Sequence, residues 1–422
     1  MTQGRKVHIV GAGMAGLAAA VRSVELGLQV RLSEGAPQAG GRCRSFEDSV
    51  LGRIIDNGNH LILGANPAIF AYLGAIGAAD KLTPLESACF PFLDVSSGAA
   101  WTVRPGAGRW PWWLLDPDRR VPGARLADYW AMLRILNAPA SARLDEYVNV
   151  QAPMFARFWE PLALAVLNTE AAASSARLLG RVLAETLMRG GAASRPYFAH
   201  AGLGSALVDP ALAFLERSSV ATRFSCRLRG MDVNDDRVTR LIFDDEVIEI
   251  GADETVILAV PSWEAGALIP GLVVPTETRP IVNAHFQIES AFDFADGAPF
   301  LGVIGGTAHW LFRRGDVVSA TVSAARVLAD DVALQVAEAI WRDVAAAIGR
   351  PGSPLPRHRI IKEKRATIAQ TPGQDALRPP TATRWRNLLL AGDWTQTGLP
   401  ATIEGAVGSG RHAAELAGNL AK

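Results

Sequence analysis

Cysteine is scarce in this 422-residue chain: Cys43, Cys89 and Cys226 stand far apart. Three such thiols build neither a disulfide framework nor a metal cluster. They fit a reducing, cytoplasmic-side setting, and no metal is expected. An excess of one charge is missing too. Lys plus Arg is 42 and Asp plus Glu is 42, so the formal net charge is zero. A nucleic-acid binder carries a basic surplus, so no nucleic-acid partner is expected. Lysine occurs only at 6, 81, 362, 364 and 422; the rest of the basic side is arginine. No uncharged run is long and unbroken enough to span a bilayer, which takes ~20 mainly apolar residues. The longest, Leu61 to Ala79, is broken by Asn66-Pro67 and three glycines and reads as a loop followed by a short buried helix. No H-E-x-x-H, C-x-x-C or G-x-S-x-G occurs, so zinc and serine chemistry have no support. Disorder is excluded by 49% apolar and 20% charged residues, ordinary globular usage.

What is present begins with a βαβ unit. Val7 to Val10 is a short apolar run, as in a buried parallel strand. A helix follows from Met14 to Leu26, stopped by Gly27, and Leu28 to Ser33 is a second strand. The chain passes straight into this unit, so no signal peptide is expected. Between strand and helix, Gly11-Ala12-Gly13-Met14-Ala15-Gly16 matches G-x-G-x-x-G in the context that makes it credible. Gly11 permits the tight turn, Gly13 lets backbone approach a pyrophosphate, and Gly16 permits close helix packing. The first N–H groups of the helix, at Met14 and Ala15, face the phosphates. Glu34, ending the second strand beside Gly35, is placed to accept from a ribose hydroxyl. The motif alone does not separate FAD from NAD.

The rest of the chain alternates. Residues 67–200 read as mostly helical, with helices at Arg125–Leu136, Met154–Val166 and Ala176–Arg189. A turn at Gly202-Leu203-Gly204-Ser205 starts another helix that ends near Arg217. Short β runs follow at Cys226–Val233, Val238–Phe243, Val247–Ile250 and Thr255–Val260. More strands are expected between Ile281 and Ser323, then a helix at Asp330–Ile348 and a strand at Ile360–Ala369. Leu388–Ala391 is a strand and Ala401–Leu420 a closing helix.

Gly40-Gly41-Arg42 follows the fingerprint at the distance seen in flavoproteins of the amine oxidase and carotenoid desaturase superfamily. Arg42 is a candidate phosphate partner. Asp56-Asn57-Gly58-Asn59-His60 resembles the superfamily segment that passes under the flavin ring. Leu390-Ala391-Gly392-Asp393 resembles its strand and turn beside the ribityl chain. Ala401-Thr402-Ile403-Glu404-Gly405-Ala406 resembles the start of the helix aimed at the flavin. Cys226-Arg227-Leu228 lies where the superfamily has a strand contacting adenine. The stretches DNGNHLILG from Asp56 and LAGDWTQTGLPATIEGAVGSGRHAA from Leu390 sharpen this to a resemblance to the hydroxysqualene dehydroxylase family.

The expected fold is α/β: a Rossmann-like FAD-binding domain, discontinuous in sequence, with an inserted α+β substrate domain; the alternation of elements is also compatible with two sequential domains. The expected boundaries are 1–66, 202–265 and 375–422 for the first, and 67–201 and 266–374 for the second. The resemblance implies reductive dehydroxylation of hydroxysqualene to squalene, with reduced FAD as hydride source, in hopanoid and squalene biosynthesis. The electron donor stays open: NAD(P)H or a partner reductase. An acid must help the hydroxyl leave; His60 is the candidate, with Asp56 and Glu404 behind it. The alternatives are a carotenoid or phytoene-type desaturase, a flavin amine oxidase, and an FAD-containing scaffold that binds polyprenyl lipid. Thr402 stands where amine oxidases commonly carry an aromatic residue, and only four Tyr exist, which counts against an amine cage. Finally, Trp101, Trp110, Trp112 and Trp113 crowd one region, with Arg119-Arg120 following. Trp110, Trp112 and Trp113 are candidates for peripheral contact with a bilayer, at the cytoplasmic face of the membrane.

Overall fold

The computed structural model describes residues 5–106, 108, 112–289, 292–294 and 297–420. A five-stranded parallel sheet has the order Ala221–Arg223, Gln29–Ser33, Lys6–Val10, Thr255–Leu258, Leu388–Leu390. Its strands come from three separated stretches of chain, so this Rossmann-like unit is discontinuous. Period-two alternation divides its side chains between two cores. Val7, Ile9, Ile257 and Leu389 face the helices Met14–Glu25 and Ile403–Asn419. Val10, Val256, Leu258, Leu388 and Leu390 face the antiparallel meander Leu228–Val233, Val238–Phe243, Val247–Glu249. The two helices touch closely: a Cβ on Gly410 would sit 2.0 Å from the Ala15 carbonyl oxygen.

A seven-stranded sheet has the order His358–Ile368, Thr278–Gln287, Val317–Val322, Trp310–Arg314, Phe300–Ile304, Phe90–Asp94, Ala100–Val103. It is antiparallel except where Phe300–Ile304 meets Phe90–Asp94. The helix Ala333–Ala347 covers the face carrying Val282, Ala284, Phe286, Val318 and Ala320. The opposite face looks toward the segment after Asp56.

Two expectations are corrected. Residues 67–200 are not mostly helical, because Phe90–Asp94 and Ala100–Val103 are strands that complete the seven-stranded sheet. The expected helices there are also broken. Arg125–Leu136 is a 3₁₀ turn, Leu126–Tyr129, running into Trp130–Ile135. Met154–Val166 opens with a π turn, Phe155–Trp159, ahead of Glu160–Leu167. The same sequence of a π turn and then an α-helix recurs at Gly204–Val208 and Asp209–Arg217. In both cases a proline, Pro161 or Pro210, follows two residues after the π turn. It lacks the N–H needed for the regular i→i−4 ladder, so the preceding turn widens. Among the described residues no helix is long and apolar enough to cross a membrane.

Candidate functional site

The glycine turn is closed by sterics. Gly11 has φ +103°, and a Cβ there would lie 2.4 Å from the Ala259 carbonyl oxygen. A Cβ on Gly16 would lie 1.7 Å from the Gly11 carbonyl oxygen. Gly16 therefore lets the turn fold onto itself, rather than serving only helix–strand packing. Gly13 differs: a Cβ there meets nothing within 4 Å. It is the N-cap of the helix Met14–Glu25 and offers no side-chain cap. The first N–H groups, at Met14 and Ala15, are thus left for an external acceptor. Gly40 N–H donates to the Ala12 carbonyl at 2.8 Å, which brings Gly41 against Gly13.

Glu34 folds back, accepting from Ala12 N–H at 2.6 Å and Ala36 N–H at 2.7 Å. Cys226 N–H donates to the Glu34 carbonyl at 2.9 Å, and Gly35 faces Arg227. The cross-connection 225–227 therefore closes the end of the turn. Of the expected Cys226-Arg227-Leu228 strand only Leu228 is extended in the sheet. Ahead of it, Ser225 and Cys226 donate their backbone N–H groups to the Ala36 and Glu34 carbonyls, and Arg227 packs against Gly35. Burial raises the Cys226 thiol above its ordinary range. Cys226, Asp245 and Glu246 bring ligand atoms together, but Arg223 and Arg31 already neutralise both carboxylates.

Arg42 lies deep in the molecule, yet 43% of its side chain is accessible. Accessible surface at that depth is the wall of a cleft. The guanidinium donates to Asp393 at 2.7 Å and to the Ala366 carbonyl at 2.6 Å. The phosphate partner expected from sequence thus also anchors Asp393. Arg378, which sequence reasoning missed, is buried behind Asp393. It donates to the carbonyls of Asp393, Thr395 and Leu399 and clamps the loop after Gly392. Gly392 N–H donates to Ser409 Oγ at 2.8 Å, tying that loop to the closing helix.

Asp56 is buried. It pairs with Arg314, accepts from Ser45 Oγ at 2.5 Å and from Leu203 N–H at 3.1 Å. Both of its carboxylate oxygens are engaged, so it anchors the segment that follows. Behind it the Asn57 carbonyl accepts from Asn283 Nδ2 at 3.0 Å. Gly58 keeps a Cβ-sized distance from Asn283 and His60. Asn59 Nδ2 donates to Thr321 Oγ1 at 3.2 Å. His60 keeps accessible surface although it is deeply enclosed, so it also faces the cleft. Burial, with Arg42 and Arg314 nearby, pushes it down to about 4. It is neutral at pH 7 and carries no acidic proton there.

The closing helix begins with Thr402 as N-cap, accepting from Gly405 N–H at 3.2 Å. Ala401 N–H donates to Gln370 Oε1 at 2.7 Å, and Ile403 and Ala406 are buried. Glu404 caps a different helix. It accepts from Ala68 N–H at 2.9 Å and Ile69 N–H at 3.0 Å, at the start of Pro67–Ile76. Both carboxylate oxygens are thereby engaged.

The tryptophan cluster divides. Trp113 is only 5% exposed and packs edge-on against Tyr129, so its expected bilayer contact is ruled out by burial. Trp101 is buried, stacked on Phe92. Trp112 is 71% exposed. Trp110 lies outside the described residues.

Three features fit a dinucleotide of the FAD type: the open space at Gly13, the uncapped helix start, and the accessible cationic wall at Arg42. A family model described as flavin containing amine oxidoreductase matches residues 14–417. A hydroxysqualene dehydroxylase of Sinorhizobium fredii is 46% identical over 98% of both chains. One of Rhodopseudomonas palustris is 44% identical, again over 98% of each. Among solved structures, an oxidoreductase from Methanosarcina mazei matches with a TM-score of 0.72 at 13% identity, covering 97% of this chain and 100% of that one.

Proposed function

Since the chain belongs to the flavin-containing amine oxidoreductases and, within them, to the hydroxysqualene dehydroxylases, we propose that it removes the hydroxyl of hydroxysqualene with reduced FAD and releases squalene. The observation that carries this reading is identity of 44–46% along 98% of the chain, so the site-bearing segments and the substrate region are inherited together. No feature of the fold or site favours carotenoid desaturation, amine oxidation or a non-enzymatic scaffold.

When bound, reduced FAD supplies the hydride. The chain's residues do the rest. Gly11, Gly13, Met14, Ala15 and Gly16 form the turn and helix start that would receive the pyrophosphate. Glu34 and Gly35, with Cys226, Arg227 and Leu228 beside them, would hold the adenosine end. Gly41, Arg42, Gly392 and Asp393 would hold the middle of the cofactor. Gly58, Asn59 and His60, with Ala401, Thr402, Ile403 and Ala406, would hold its flavin end. Loss of the hydroxyl as water consumes a proton and leaves an allylic cation that water must not reach. His60, held neutral by its burial, is not the store of the proton.

The substrate dissolves in membranes, not in water, and we place its delivery at an exposed apolar patch. Trp112 and Leu115 stand out on one turn. Leu126, Trp130 and Leu133 form a stripe on the neighbouring helix, joined to that turn through Trp113 and Tyr129. Arg125 and Arg134 flank the stripe, which suits a surface of anionic lipid at the cytoplasmic face of the membrane.

The reading is tested by lipid extraction. Hydroxysqualene incubated with protein, FAD and a reductant is expected to yield squalene. Unchanged hydroxysqualene would reject the proposal, and conversion of a polyene precursor to a more unsaturated product would support a desaturase instead.

A further inference from the structure

The cleft-facing side of the seven-stranded sheet changes character within one strand. On Thr278–Gln287 and Val317–Val322 it carries Asn283, His285, Ser319 and Thr321, all buried. From the next strand onward it is aromatic. Trp310 stands directly across the ladder from Thr321. Its ring lies 5.4 Å from Phe92 and 6.1 Å from Phe300. Phe92 continues the strip by stacking on Trp101 at 5.6 Å. Leu61, next to His60, packs into the same cluster.

Among the described residues, Asn57 Oδ1, Asn59 Oδ1, His285 Nε2, Trp310 Nε1 and Trp101 Nε1 have no partner along this face; where polar meets aromatic, the two are Asn59 Oδ1 and Trp310 Nε1. The orientation of the Asn59 amide follows from a chain of bonds that starts at a fixed acceptor. The Asn57 carbonyl can only accept, so it takes Asn283 Nδ2 at 3.0 Å. Asn283 Oδ1 must then accept, and it takes the Thr321 hydroxyl at 2.8 Å. The Thr321 oxygen has a lone pair left for Asn59 Nδ2 at 3.2 Å. What remains is the Asn59 Oδ1 acceptor, buried and unpaired, which is unfavourable until something donates to it. Trp310 Nε1 is a donor only. Thr321, bonded to the Asn59 amide and directly across the ladder from Trp310, brings one acceptor and one donor to the head of an aromatic strip, and together they are the complement of a single hydroxyl on a long hydrocarbon.

We infer that Asn59 and Trp310 form the binding point for the substrate hydroxyl, held in orientation by Thr321 and Asn283, with Phe92, Trp101 and Phe300 packed behind Trp310 to fix its ring. The hydroxyl donates to Asn59 Oδ1 and accepts from Trp310 Nε1. Trp310 is thus a substrate-contacting residue, and Thr321 a positioning residue that acts through Asn59. This assignment rests on the dehydroxylase reading above.

The test compares hydroxysqualene with squalene, which lacks the hydroxyl. Binding to the FAD-loaded protein in detergent is followed by quenching of intrinsic fluorescence, with flavin content measured on each sample. The wild type is expected to bind hydroxysqualene at least ~10-fold more tightly than squalene, as for a site that would otherwise leave polar groups unpaired. Trp310→Phe keeps a ring and removes the donor. Thr321→Val keeps the shape and releases the Asn59 amide. Each is expected to lower the preference to about two-fold or less by weakening hydroxysqualene alone, with flavin content unchanged. A preference retained in both Trp310→Phe and Thr321→Val overturns the assignment, as does loss of flavin in place of discrimination, which would give these atoms to the cofactor. A wild type that converts hydroxysqualene but never prefers it to squalene overturns the assignment and leaves the dehydroxylase reading standing. A wild type that neither binds nor converts it removes both.

Discussion

Arg42 and Asp393 stand 351 positions apart in the chain and meet at 2.7 Å. The pair joins the second glycine turn to the loop ahead of the closing helix, and Arg378 grips the same loop through the Asp393 carbonyl at 2.8 Å. Asp393→Asn removes the charge partner of Arg42 but leaves the Arg378 clamp. FAD retention is expected to fall about ten-fold, ~1.4 kcal/mol, with little change in melting temperature. Flavin content after extensive gel filtration, alongside a thermal melt, checks this. Unfolding in step with flavin loss would show that the pair holds the fold and not the cleft.

Gly11 and Gly13 are expected to respond oppositely to one added methyl group. Gly11→Ala forces a strained φ and a collision with the Ala259 carbonyl, so the protein should be destabilised by ~1 kcal/mol or more. Gly13→Ala meets nothing in the protein itself and should fold normally. It should nevertheless lose FAD, because the new Cβ occupies space required by the pyrophosphate. Melting temperature and flavin content, measured on both, separate the two effects.

Glu404 caps the helix Pro67–Ile76 with both carboxylate oxygens, while burial raises it above the ordinary carboxylate range. Glu404→Ala removes the acceptors for two backbone N–H groups at the start of Pro67–Ile76 and should cost ~1–2 kcal/mol of stability. Glu404→Gln keeps one acceptor and should lose less, while retaining turnover. Turnover abolished by the glutamine variant at normal stability would make Glu404 the proton donor.

Three enclosed histidines predict acid sensitivity. Burial lowers His60 to about 4, His285 to about 3 and His309 to about 4. Their unfolded values lie near ~6.5, so the unfolded chain takes up protons first as the pH falls. The stability from neutral rings is complete above ~6.5 and is lost progressively toward pH 3–4. His309 shows the physical reason: its Nδ1 accepts from Ser323 N–H at 3.0 Å and cannot do so when protonated. His309→Asn keeps an acceptor that does not titrate. Urea midpoints at about pH 7 and about pH 5 should therefore differ less in this variant than in the wild type.

Membrane delivery is checked by flotation with anionic liposomes. The Trp112→Ala/Trp130→Ala double variant is expected to float several-fold less than the wild type, and added salt should weaken both. Equal flotation of the two proteins contradicts a role for this patch.

The features readable in the sequence were those set by local physics. The fingerprint turn needs glycine at fixed offsets, Val238–Phe243 is a β-rich run between Asp235-Asp236 and Asp244-Asp245, and Leu388–Leu390 is a short apolar run. What could not be read depends on partners distant in sequence. Phe90–Asp94 contains a proline and is flanked by loops, so it becomes a strand only through Phe300–Ile304 and Ala100–Val103. Glu404 begins one helix but serves another 335 positions away. Arg378 and Gln370 are polar residues without any local pattern. Their roles exist only once the carbonyls and N–H groups of the 393–401 loop surround them. Trp113 and Trp112 are adjacent and chemically identical, and only the packing of Tyr129 decides which one is buried.

The central claim, that this cleft brings reduced FAD to the carbon bearing the hydroxyl, is tested most directly by anaerobic reoxidation. The protein is loaded with FAD, reduced stoichiometrically, and mixed with hydroxysqualene in the absence of oxygen. The account predicts that the oxidised flavin spectrum returns, with one squalene formed per flavin. A flavin that stays reduced, or returns without squalene, contradicts it.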